Sequence, residues 1–358
     1  MELMRNFRSV VVCVRLIGLL ADATGQCSIM SKKIADGFGS LGELCDHHYA
    51  FFQDGKLTLV GRQYVAQPTH NWGHRVAFPG TYVLTFDKET NHWERHDFSE
   101  LASDENLEES LFVRDGKLYL LTFLNFGAIE FKQLFKWEDN KFVEIKLTAP
   151  ANKAITESQK PDVIVASGVT SNGSNIVLAR DDDGHIQIYS LTVDGDVATI
   201  ENTSKIDVDA NPLRGQAVLA EVFGDKVLVS YGVHGCGFRW EKTRFFIADL
   251  KTNTTRHVEI EGEHENLPRF GFTGPHCSFV NQDTKSWIVA AGSVLKGMHA
   301  SEFNGEVWAL KGNVFDEESK AVWVKLPHNV EEGEHILDGF TLYTVTKDAV
   351  SKVQLDEI

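Results

Sequence analysis

Ala50-Phe-Phe-Gln-Asp-Gly-Lys-Leu-Thr-Leu-Val60 and Leu111-Phe-Val-Arg-Asp-Gly-Lys-Leu-Tyr-Leu-Leu121 are two copies of one phrase, with Asp-Gly-Lys-Leu in register. An apolar run enters a two-residue turn and a second apolar run leaves it. Asp-Gly between such runs is a strong hairpin signal, because a type I′ turn needs positive φ at both central positions. Looser copies turn at Asn172-Gly173, Gly224-Asp225, Asp283-Thr284 and Asp338-Gly339, and the first turn residues are spaced 61, 57, 52, 59 and 55 apart. A unit of this length made of short strands cannot bury its own faces, so consecutive units must stack on one another.

The rest of each unit agrees. Residues 81–86 form an apolar run, followed by a polar turn and Trp93; the same shape recurs at 134–137 with 142–145 and at 245–249 with 257–260. Short strands at even spacing, with little helical periodicity, predict an all-β, six-bladed β-propeller occupying residues 30–358 as one domain. The last unit has only three strands before the chain ends (334–337, 340–346 and 350–355), so residues 33–41 are expected to supply the fourth and close the ring.

A period in the fifties exceeds the roughly 40 to 45 of WD40 blades. Trp93, Phe142 and Trp323 stand near the start of fourth strands. On these features residues 46–358 resemble the kelch-repeat family, although the glycine pair of that family is reduced to single residues at Gly61, Gly232 and Gly292. The resemblance implies a kelch-like propeller and a non-enzymatic protein-interaction module or scaffold. Propellers host many unrelated activities, so it implies less about function than about fold.

The chain has 358 residues, 42% of them hydrophobic, which suffices for a large repeat-built core. Its 51 acidic and 35 basic residues give a formal charge of −16, with no basic run longer than Lys32-Lys33. Nucleic-acid binding, which needs Lys and Arg to replace phosphate counterions, is opposed by that balance. The five cysteines (Cys13, Cys27, Cys45, Cys236 and Cys277) are odd in number and lack close-set pairs, so reduced thiols and a cytoplasmic, monomeric protein are expected.

Residues 1–29 read as a targeting segment or an extension outside the propeller. Their apolar run is broken by Arg15 and is shorter than the roughly 18 apolar residues of a membrane span, so no span is expected. Arg5, Arg8 and Arg15 suit a mitochondrial presequence, and the sequons at Asn172, Asn202 and Asn253 would matter in a secreted chain, so both destinations stand as alternatives.

The loops between second and third strands gather at one end of a propeller, which makes their contents the guide to a binding surface. Residues 63–80 carry His70, Trp72, His74 and Arg75; residues 233–243 carry His234, Arg239 and Trp240; residues 296–305 carry His299. The corresponding loops at 180–184 and 347–349 are short. Trp and Arg dominate interface energetics, so these residues are candidates for holding a protein or peptide, while the same aromatics could simply pack their loops. The alternative is a propeller enzyme or carbohydrate-binding protein that uses the His and Arg side chains for acid–base work.

A metal site would draw on His70, His74, His234, Cys236 and His299, but their spacing is irregular and no carboxylate partner is evident, so no metal or other cofactor is expected. Asp181-Asp182-Asp183-Gly184 reads as a hairpin turn rather than a calcium loop. No phosphate loop, nucleophile elbow or zinc-protease helix motif occurs.

Overall fold

The computed structural model describes residues 19–21, 27–39, 47–53, 55–62, 64–66, 75–77, 82–97, 107–125, 129–150, 163–180, 185–206, 215–233, 241–261, 278–281, 283–295, 301–316 and 320–355. They form an all-β, propeller-like arrangement. Three strands come first: β1 (Leu19–Ala21), β2 (Cys27–Met30) and β3 (Lys32–Asp36). The first unit contains β4 (His47–Gln53) and β5 (Lys56–Arg62), then β6 (Tyr64–Ala66) and β7 (Arg75–Ala77), then β8 (Tyr82–Asp87) and β9 (His92–Asp97). The second is β10 (Leu107–Arg114), β11 (Lys117–Asn125), β12 (Ile129–Glu138) and β13 (Lys141–Thr148).

The third is β14 (Val163–Val165), β15 (Asn175–Arg180), β16 (Ile186–Asp194) and β17 (Val197–Ile206); the fourth is β18 (Gly215–Phe223), β19 (Lys226–Val233), β20 (Glu241–Asp249) and β21 (Thr254–His257). After β22 (Ile260–Glu261), the chain continues through β23 (Ser278–Val280), β24 (Trp287–Leu295), β25 (Ser301–Lys311) and β26 (Ala321–Asn329). It ends with β27 (Glu334–Asp338), β28 (Thr341–Val345) and β29 (Ala349–Gln354).

Each unit is an antiparallel meander of four strands, and β3 is the fourth strand of the last one, with Ala349 opposite Asp36 and Lys352 opposite Lys32. The expected use of the N-terminal segment is therefore found, over a shorter strand than residues 33–41. Gly37 explains where it stops. A Cβ there would overlap the carbonyl oxygens of Lys347 and Thr346, and Gly39 N–H donates to the Lys347 oxygen at 2.9 Å.

The hairpin turns behave as their sequences require. Asp115 and Gly116 both have positive φ, 49° and 72°, which is the type I′ pattern. In the fifth unit the same job falls to a non-glycine, Lys285, at φ 58°. Between third and fourth strands, Asp87 accepts from the N–H groups of Glu89 (2.8 Å) and Thr90, and Asp249 accepts from those of Lys251 and Thr252, both at 3.0 Å. Those backbone donors hold both carboxyls below the usual aspartate range.

Burial follows position within the unit. Leu118, Tyr119, Leu120, Leu121, Thr122 and Phe123 of β11 are all buried, because both faces of a second strand are covered by neighbouring units. Outer strands alternate instead, as in β13, where Phe142 and Ile145 are buried between exposed residues. Every hydrophobic cluster of the described residues lies between two consecutive units; one joins Phe51, Val60 and Val83 to Leu111, Leu118 and Phe135, and another joins Tyr82, Leu84 and Trp93 to Tyr343, Val345 and Val350.

Some outer strands also pair across the gaps. Lys146–Thr148 of β13 runs parallel to Val197–Thr199 of β17, which fuses two units into one eight-stranded sheet. The fourth strand of the fourth unit occupies Thr254–His257, three residues before the position expected from its sequence, because Ile260 and Glu261 cross over to pair with Ala321 and Val322 of β26. The β1–β2 hairpin adds to the far end of β26, Ile29 opposite His328. Among the described residues no helix is long and apolar enough to cross a membrane.

Gly37→Ala should loosen the ring where its ends meet. Overpacking of this kind costs about 1–3 kcal/mol, read as a lower urea midpoint at unchanged m-value.

Candidate functional site

The innermost strands are packed in sequence: β4 on β10, β10 on β14, β14 on β18, β18 on β23, β23 on β27, and β27 on β4. Each is followed by a hairpin turn, and the chain returns to the starting end before the next unit begins. The channel they enclose therefore has a turn end, where first and second strands meet, and a loop end, where second and third strands are connected.

At the loop end, the segment expected to be a long loop in the first unit folds into a hairpin of its own, with Tyr64 opposite Ala77 and Ala66 opposite Arg75. Its strand β7 packs against β10, the innermost strand of the second unit, so the hairpin leans toward the channel axis. Arg75 opens β7; His70, Trp72 and His74 belong to the stretch between β6 and β7 and lie outside the described residues. His234, Arg239, Trp240 and His299 also lie outside them, as do Cys236 and Asp181–Asp183. Among the described residues, what the structure establishes is the β6–β7 hairpin itself. Among the described residues no three His, Cys, Asp or Glu side chains are grouped to hold a metal ion.

One expectation needs correction. The connection in the fifth unit is shorter than residues 296–305, because Leu295 pairs with Ser301 and the strand β25 has begun by then. Phe303 is consequently a strand residue, and its ring stacks on His335 at 5.5 Å and 6°. His335, near the start of β27, is buried, with Nε2 2.8 Å from the carbonyl oxygen of Glu331. A carbonyl can only accept, so Nε2 carries the hydrogen. Burial lowers the His335 pKa to about 4, against a smaller opposing effect of the Glu331 carbonyl.

The turn end was not singled out by the sequence. There a cavity of about 210 Å³ is lined by Phe52, Phe112, Val113, Ile336 and Leu337 together with Val165, Ala166 and Ser167. These residues come from the ends of innermost strands in four different units, a grouping that no local motif encodes. The Lys88 ammonium sits 4.3 Å from the centroid of the Phe52 ring and 4.8 Å from that of Tyr343, and donates to the Tyr343 hydroxyl at 3.1 Å.

No family model and no curated protein matches this chain. Among solved structures, YjhT aligns over 88% of this chain and 94% of its own length at 10% identity, with a TM-score of 0.47. A GH43 β-1,3-galactosidase with galactodeoxynojirimycin aligns over 86% of this chain and 97% of its own, at 10% identity and a TM-score of 0.42.

His335 makes stability depend on pH in a defined direction. The folded state keeps the ring neutral, whereas the unfolded chain takes up a proton near the ordinary value of 6.5. The contribution is complete above 6.5 and is lost as pH falls toward about 4. The loss should total roughly 3 kcal/mol, and denaturant unfolding of His335→Leu across that range should show a shallower pH slope than the parent.

Proposed function

We propose that the chain is a six-bladed, kelch-like propeller that works as a binding protein and holds a protein or peptide partner at the loop end of its channel. The β6–β7 hairpin carries this reading: an insertion between second and third strands that folds and packs toward the axis against β10. Trp72 lies in sequence between its two strands and Arg75 opens β7, and both are residue types that anchor interfaces. The count of six blades is supported by the succession of innermost strands from β4 to β27 and back, and a cytoplasmic setting by the cysteine usage.

A second reading, a carbohydrate-binding protein or propeller enzyme using the same end, is favoured by the residue types His70 and His74 in the sequence between β6 and β7 and Arg75 at the start of β7. Aromatic rings stack on sugars, and histidines transfer protons.

Selection of a displayed peptide library on the whole protein, beside a glycan array, tests both. Peptides recovered on the parent should bind Trp72→Ala and Trp240→Ala at least about tenfold more weakly, at unchanged melting temperature. Glycan binding lost in the same variants, with no peptide enriched, would transfer the site to the second reading.

A further inference from the structure

The N-terminal chain closes the ring with β3, and before β3 it forms the β1–β2 hairpin, which closure does not require. The hairpin docks on β26, the fourth and outermost strand of the fifth unit, so the receiving edge lies on the rim of the molecule. β22 pairs with one end of that strand, Ile260 opposite Ala321 and Glu261 opposite Val322, and the hairpin takes the other end. Its ladder there is two register pairs in parallel, Ile29 opposite His328 and Met30 opposite Asn329. β3 is held on β29 over four residues, Lys32, Lys33, Ala35 and Asp36. The two attachments are therefore separable: release of the hairpin from β26 leaves β3 in place and the ring closed.

The junction between them is where the docked hairpin fits least well. A single residue, Ser31, joins Met30 of β2 to Lys32 of β3. Its hydroxyl oxygen is buried, and so is Oδ1 of Asn329, the residue opposite Met30. Neither oxygen has a hydrogen-bond partner among the described residues. A buried polar atom left without a partner keeps its full desolvation cost. A short connection of this kind also invites exchange, whereas a longer one lets an element fold back on its own chain.

We propose that the β1–β2 hairpin is an exchangeable clasp whose partner is a second copy of this chain: each hairpin turns at Ser31 and docks on β26 of the other molecule. The occupant is fixed by the fold, because the segment that matches this edge is carried by the same chain. The turn re-exposes the Ser31 hydroxyl and opens the end of the ladder at Asn329. Exchange is reciprocal, so two copies meet rim to rim about a two-fold axis and neither receiving edge is left over. The exchanged ladders repeat those within one chain, which leaves concentration and the hinge to set the balance. A formal charge of −16 on each copy opposes the approach, so added salt favours it. Both ends of the channel stay free, and the pair presents two loop ends at once. No covalent step is involved.

The test uses the full chain. Sedimentation equilibrium from about 1 μM to about 1 mM protein, at low and at high salt, should show a monomer–dimer equilibrium with more dimer at high salt. Exchange is read separately. Light and heavy-nitrogen chains, each with a photoreactive leucine analogue in place of Ile29, are mixed in equal amounts, warmed and illuminated, and peptides cross-linked between position 29 and β26 are weighed. Mixed-isotope pairs should make up about half of those from the dimer and none of those from the monomer. Inserting Gly-Ser-Gly after Ser31 should lower the dimer fraction about tenfold by letting the hairpin fold back. Ile29→Pro, which removes a backbone N–H from β2 and leaves β3 untouched, should abolish the dimer at a melting temperature close to the parent's. Should Ile29→Pro fail to fold, the insertion and the isotope experiment decide. A chain that stays monomeric to about 1 mM, a dimer with single-isotope cross-links only, an insertion that raises the dimer fraction, or a dimer that survives Ile29→Pro would each overturn the proposal.

Discussion

Among the described residues no four-stranded unit has a core of its own, because each of their hydrophobic clusters is shared between two consecutive units. That constraint makes closure obligatory. An open chain of units would leave Leu57, Leu59, Leu84 and Trp93 on one terminal face and Ile336, Tyr343 and Val345 on the other. Full burial of a large apolar side chain is worth about 1.5–3 kcal/mol, so exposing two such faces would cost a sum comparable with the whole stability of a domain.

Backbone pairing and packing, rather than charge, join the two ends. The Lys33–Asp36 pair is 3.0 Å long but its side chains are 55% and 87% exposed, which leaves it little net effect. The β3–β29 ladder satisfies backbone groups of what would otherwise be an open edge, the Trp93 indole donates to the Asp36 carbonyl at 3.2 Å, and Phe38 meets the Trp93 ring edge-on at 6.1 Å. Trp93 therefore serves two purposes from one position, filling the space between first and last units and gripping the strand that completes the last one.

The repeat was legible because its signals are local. Asp115-Gly116 announces a hairpin through two adjacent residues, and Trp93 and Phe142 mark their strands by position alone. Where pairing is decided at a distance the sequence was silent. Nothing around Ile260 distinguishes a continuing fourth strand from one that crosses to β26, and nothing around Phe303 shows that β25 has begun, since its partner Glu302–Val294 pairing depends on strands meeting in space. The candidate site divides in the same way. His70, Trp72 and His74 were found by loop length and residue type, whereas the turn-end cavity joins Phe52, Phe112, Val165 and Ile336, residues that read as ordinary core when each is seen in its own strand.

The two ends of the channel differ because one strand direction repeats around the ring. At the turn end the ends of innermost strands from four units line one cavity. Connections of variable length can extend over the loop end, as the β6–β7 hairpin does. A formal charge of −16 disfavours anions at long range, but at physiological ionic strength that field is screened within about 8 Å. Closer than that, local groups decide. At the turn end one such group is the Lys88 ammonium, seated on the rings of Phe52 and Tyr343.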